Sequence, residues 1–155
     1  MPLPDSSLIP LVAQALVEIV PAVNRSLRVL LAQGHPVVSV PQFRVLAWLK
    51  GSTDLTLKEL AGREGVAPPT MSRAVETLQQ KGWLTRYAAS TDKRCVKIAL
   101  TDAGSALVDE IRLEMSRQLE ARLESWEPSA LAQLLESLAH LRTSALILPS
   151  SGVPL

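Results

Sequence analysis

A mainly α-helical chain carrying one small β-hairpin is predicted by three features of the sequence. Apolar residues recur at steps of three and four over most of its length, the mark of helices that bury one stripe. One run, Val96 to Leu100, instead alternates with period two, as a half-buried strand does. Capping boxes, prolines and glycines stand between these runs, where helices start and stop.

The first helix is predicted from Leu8, Val12, Leu16, Ile19, Val23, Leu27 and Leu30. Pro10 suits its first turn, Pro21 should kink or divide it, and Gly34-His35-Pro36 ends it. Ser39-Val40-Pro41-Gln42 has capping-box spacing and opens a helix from Pro41 to Lys50, stopped by Gly51. Thr56-Leu57-Lys58-Glu59 is a second box and opens a short helix ending near Gly65. Another helix follows at once, with Pro68 and Pro69 confined to its first turn and Gly82 just past its end. So brief a connection is that of a helix-turn-helix.

Beyond Gly82, Trp83 to Tyr87 has strand character and Ala88 to Arg94 is a polar loop. In the next strand Val96, Ile98 and Leu100 face the side opposite Lys97 and Ala99. Thr101 caps a long helix carrying Leu107, Ile111, Met115, Leu119 and Leu123, and Glu127-Pro128 breaks it. A last helix carries Leu131, Leu134, Leu135, Leu138, Leu141 and Ala145. The expected organisation is a single unit over 1–155, with a lobe at 39–100 and helical arms at 6–34 and 101–148.

At 155 residues one folded unit is expected, and 3% aromatic residues make its core aliphatic. Apolar stretches are interrupted by Gln, Glu, Arg or Pro short of the roughly 20 residues a span requires, so no membrane segment is expected. The first residues lack an early Lys or Arg and carry Asp5, unlike a secretory signal, which predicts a cytoplasmic chain. A single cysteine and two distant histidines, His35 and His140, cannot build a zinc site. No Ser-His-Asp set or glycine-rich phosphate loop is present. No enzyme, cofactor or metal is therefore expected. Net charge is +1, yet Arg63 to Lys97 holds seven basic against three acidic residues, a local +4 that leaves −3 elsewhere. The concentrated positive charge points to an anionic partner.

Residues 69–81 wound at 100° per residue place Thr70, Arg73, Thr77 and Lys81 on one face. Met71, Val75 and Leu78 fall on another face, shared with Val66. Arg73 can bridge guanine O6 and N7 with its planar fork, and Thr70 can meet a base edge or a thymine methyl. The short capped helix before this one and the basic hairpin after it complete the layout of a winged helix-turn-helix, whose hairpin tip reaches the minor groove. Arg94 has the length and charge to enter a narrow minor groove, and Asp92, two residues away, can orient it. The expected DNA-binding residues are Pro69, Thr70, Ser72, Arg73, Thr77, Arg86, Lys93 and Arg94.

In Gln42-Phe43-Arg44-Val45-Leu46, Thr56-Leu57-Lys58-Glu59-Leu60-Ala61, Val66 to Arg73, Leu78 to Arg86, and Asp92-Lys93-Arg94 followed by Ile98 to Gly104, the chain resembles the MarR family of transcriptional regulators. The resemblance implies a homodimer with intertwined terminal helices, two winged lobes on a pseudo-palindromic double-stranded operator, Arg94 at the wing tip and Asp92 as its partner. It also implies repression relieved by a small aromatic or phenolic acid, for which Phe43, Arg44 and Trp48, with Arg25 or Arg28, are the candidate wall and cation. The apolar stripes of the terminal helices argue for a partner copy independently. Cys95 shares a strand side with Lys97 and Ala99 between basic neighbours that favour thiolate. Peroxide-sensing members of the family, however, carry their cysteine near the N-terminus, where this chain has none. The alternative function is a winged-helix protein-interaction module without DNA binding. Cations at both reading positions, Arg73 and Lys93-Arg94, favour the regulator.

Overall fold

The computed structural model describes residues 8–34, 38–52, 55–88 and 96–143. They form a predominantly helical chain in the order α1 (Leu8–Gly34), α2 (Val40–Gly51), β1 (Leu55–Thr56), α3 (Leu57–Glu64), α4 (Pro68–Gln80), β2 (Leu84–Ala88), β3 (Val96–Leu100), α5 (Asp102–Leu123) and α6 (Pro128–Thr143). Two compact units are present, Met1–Pro41 and Gln42–Leu155.

The first unit holds α1, a single helix of 27 residues with Pro21 inside it. Proline removes the N–H that would have met the carbonyl four residues back, yet the helix is not divided. The predicted stripe is covered only toward its end: Leu27, Leu30 and Leu31 are buried, whereas Leu8, Val12, Ile19 and Val23 are exposed. Contrary to the expectation from interrupted apolar stretches, α1 is long and apolar enough, by length and composition, to cross a membrane.

The second unit is built on a three-stranded antiparallel sheet in the order β1-β3-β2. Leu84 pairs with Leu100 and Arg86 with Ile98 on one side of β3, and Leu55 pairs with Ile98 on the other. The two-residue strand β1 was not foreseen. Around the sheet, Val45 and Leu46 of α2, Leu60 of α3, Val75 and Leu78 of α4, Leu84, Ile98, and Val108 and Ile111 of α5 are almost completely buried. Each such side chain contributes about 1.5–3 kcal/mol of transfer free energy, and no buried polar or charged residue stands among the described residues.

Several apolar positions of the predicted stripes are exposed. Val96 is 49% exposed, and its cross-strand neighbour Ala88 is exposed as well. Val66 is 37% exposed: it sits in the turn, outside α4. In α5 the fully buried residues are Gly104, Val108 and Ile111, while Leu119 is 48% exposed. A strict step of four drifts about 40° per repeat around a helix, which carries Leu119 off the face that Ile111 buries. In α6 Leu131, Leu134 and Leu141 are half-buried, and Leu135 and Leu138 are exposed. Ala145, like His35-Pro36, lies outside the described residues.

Gly104 explains how α5 docks. A Cβ there would meet the Trp83 carbonyl oxygen at 1.9 Å, so only glycine permits this approach. The same carbonyl accepts from the Thr101 N–H at 3.1 Å. Thr101 Oγ1 donates to the Gly82 carbonyl at 2.7 Å and accepts from the Gly104 N–H at 3.1 Å, satisfying one of the free donors of the helix start.

Candidate nucleic-acid interface

The predicted box at Thr56 forms: Thr56 Oγ1 accepts from the Glu59 N–H at 3.2 Å, and Glu59 Oε2 accepts from the Thr56 N–H at 2.7 Å. Glu59 also lies 3.9 Å from Lys97 Nζ on β3, linking α3 to the wing. The Thr56 N–H above all, then the Thr56 hydroxyl, and more weakly the Lys97 and Arg63 charges, hold the Glu59 carboxyl below its ordinary value.

Three residues, Gly65 to Ala67, connect α3 to α4. Gly65 adopts the left-handed conformation at φ 64°, which glycine enters without the Cβ penalty. This lets the Gly65 and Val66 N–H groups bond back to the Gly62 and Ala61 carbonyls at 3.3 and 3.0 Å.

Helix α4 is held from one side. Met71, Val75 and Leu78 are buried, at the i, i+4 and i+7 spacing of one helix face. Pro69, Thr70, Arg73 and Lys81 are exposed, and Ser72 and Thr77 are half-buried. Among the described residues, Arg73 and Arg86 make no ion pair. The Thr77 hydroxyl donates to the Arg73 carbonyl at 2.9 Å. Its capacity as a donor to a base is therefore already taken, and only its lone pairs remain. Lys81 Nζ sits 4.9 Å from the Trp83 ring centroid, a cation–π contact that steers the ammonium. Arg86 is exposed on β2. Asp92, Lys93, Arg94 and Cys95 lie outside the described residues.

The residues proposed for a ligand wall are disposed differently. Phe43 is buried at 7% exposure. Trp48 Nε1 donates to Glu64 Oε1 at 2.6 Å, and Arg44 Nε meets Glu64 Oε2 at 3.2 Å. Arg63 stacks 5.1 Å over the Trp48 ring and donates to Ser52 Oγ at 3.0 Å. Glu64 thus gathers Trp48 and Arg44, a role that sequence reasoning missed because nothing in local spacing relates the end of α3 to α2. Arg28 is exposed on α1, beside a surface groove of ≈ 470 Å³ that Arg25, Val20, Pro21, Asn24 and Val29 also line.

A short capped helix, a tight turn, a second helix anchored by one face with Arg73 outward, and an antiparallel wing define a winged helix-turn-helix lobe, an architecture built to place one helix in a DNA groove. Residues 38–96 match the model of the MarR family. It is similar to the uncharacterized HTH-type transcriptional regulator YsmB of Bacillus subtilis (strain 168), 28% identical over 105 residues that cover 68% of this chain and 72% of YsmB. Its fold is that of a MarR family protein from Bacillus stearothermophilus, with a TM-score of 0.76, 23% identity and coverage of 89% of this chain and 95% of that one. FabT of Streptococcus pneumoniae, solved in complex with DNA, shares the fold at a TM-score of 0.67 and 18% identity, covering 86% and 94% of the two chains.

Proposed function

We propose that the protein is a homodimeric repressor that binds a pseudo-palindromic operator in double-stranded DNA and is released by a small aromatic or phenolic ligand. The observation that carries the reading is the two-sided build of α4, with Met71, Val75 and Leu78 buried and Thr70 and Arg73 exposed. A buried anchor fixes the helix, and a guanidinium that makes no ion pair among the described residues is available for a base edge. Arg86 on the wing supplies phosphate-seeking charge, and Lys93 and Arg94, oriented by Asp92, reach the flanking minor groove. The match of residues 38–96 to the MarR family model supports the same assignment.

The homodimer rests on apolar surface. Leu8, Val12, Val20 and Val23 of α1, and separately Leu135 and Leu138 of α6, are exposed large hydrophobic residues. Large apolar residues exposed along a helix mark a surface for a partner, and a second copy related by two-fold symmetry is the usual cover. Such a dimer matches a two-fold operator. For the effector, Trp48 and Arg44 are the candidate contacts within the second unit, and they would have to leave or share Glu64 to take an acid.

Selection of duplexes from a random pool tests this reading. Enrichment of an inverted repeat, bound with affinity that falls steeply as salt rises, is expected. Recovery of no preferred sequence by folded, ligand-free protein would favour the protein-interaction module.

A further inference from the structure

The start of α4 lacks what usually makes a helix N-terminus bind phosphate. That site depends on free N–H groups in the first turn. Here Pro68 and Pro69, at the first two helical positions, have no N–H. The next two, Thr70 and Met71, both donate to the Ala67 carbonyl, at 3.0 and 3.2 Å. The Val66 N–H is bonded to Ala61. No side chain caps the helix at Ala67, and no charged residue stands between Glu64 and Arg73. Glu64 itself is turned to Trp48 and Arg44, with its side chain 8% exposed.

What this corner does offer is apolar. Ala67, Pro68 and Pro69 are exposed, and Val66 beside them is 37% exposed. Pro69 and Arg73 are separated by four residues and share a face of α4. At about 1.5 Å per residue they stand about 6 Å apart along its axis. In a major groove the apolar feature of a base edge is the thymine C5-methyl group. With Arg73 on guanine, Pro69 would stand within about two base steps of it, at about 3.4 Å per step.

We propose that Pro69 is a specificity-determining residue that reads thymine through its methyl group, and that this end of α4 selects a base instead of gripping a phosphate. The proposal rests on the reading that α4 enters the major groove.

The test uses the full-length protein and its selected operator, with each thymine replaced in turn by uracil, which removes only the methyl group. At one thymine per half-site the wild type should lose about fourfold in affinity, the equivalent of about 0.8 kcal/mol for one buried CH₂-sized group. In Pro69→Ala, which keeps the helix but loses the ring, that loss should fall toward none, with thermal melting and Pro68→Ala as controls for folding. In Arg73→Ala the thymine-to-uracil loss should persist. If the wild type binds its operator and no replacement matters, or if Pro69→Ala keeps the full loss, the inference is overturned and the DNA-binding reading stands. If the protein binds no duplex, both fall.

Discussion

At the scale of single residues, position in the fold decides what each charge can do. Glu59 serves the α3 cap and the contact with Lys97 at once. Its carboxyl is held below the ordinary value of 4.5, so its contribution to stability is present above that value and is lost as pH falls through the lower, folded one. Glu59→Gln keeps an acceptor for the box and removes the charge. The stability advantage of wild type over this variant at neutral pH should therefore shrink on acidification below the carboxylate range, as followed by denaturant unfolding across pH. A constant advantage would contradict the assignment. For Arg94, replacement by Ala should weaken binding most on operators whose flanks have narrow, A·T-rich minor grooves. Equal losses on A·T-rich and G·C-rich flanks, compared by titration, would place Arg94 on the phosphates instead.

At the scale of elements, α5 is positioned by a backbone approach rather than by side-chain fit. Gly104→Ala would drive a methyl group into the Trp83 carbonyl, and overpacking of this kind costs about 1–3 kcal/mol. A clear fall in thermal midpoint is expected, and an unchanged midpoint would mean that α5 shifts freely. Elements ruled by local chemistry were legible in the sequence. The Thr56 box, Thr101 as a cap, prolines opening α4 and glycine at the turn all depend on neighbours within a few residues. The anchored face of α4 was legible for the same reason, since Met71, Val75 and Leu78 repeat with the helix itself. Features set by distant partners were not legible. β1 exists only through its pairing with Ile98 and Lys97, Glu64 acquires its role from Trp48 and Arg44, and the close approach at Gly104 depends on the Trp83 backbone. Periodicity alone also misassigned Val66 and Val96, because apolar character does not say whether a neighbour exists to cover it.

At the scale of the whole molecule, a dimeric DNA reader needs a second copy over the exposed leucines of α6 and a DNA duplex against α4. A fully buried leucine is worth about 1.5–3 kcal/mol, so the double variant Leu135→Glu/Leu138→Glu should raise the dimer dissociation constant by roughly tenfold or more. Sedimentation across concentration reads this directly, and a wild type that is monomeric throughout would refute the dimer. Whether α4 reads DNA is measured by the affinity of wild type and Arg73→Ala for the selected operator and for duplexes changed one base pair at a time. A loss of about 1–3 kcal/mol per half-site and a flattened preference at one base pair in each half-site are expected. Equal affinity and an unchanged preference would show that α4 does not read DNA through Arg73.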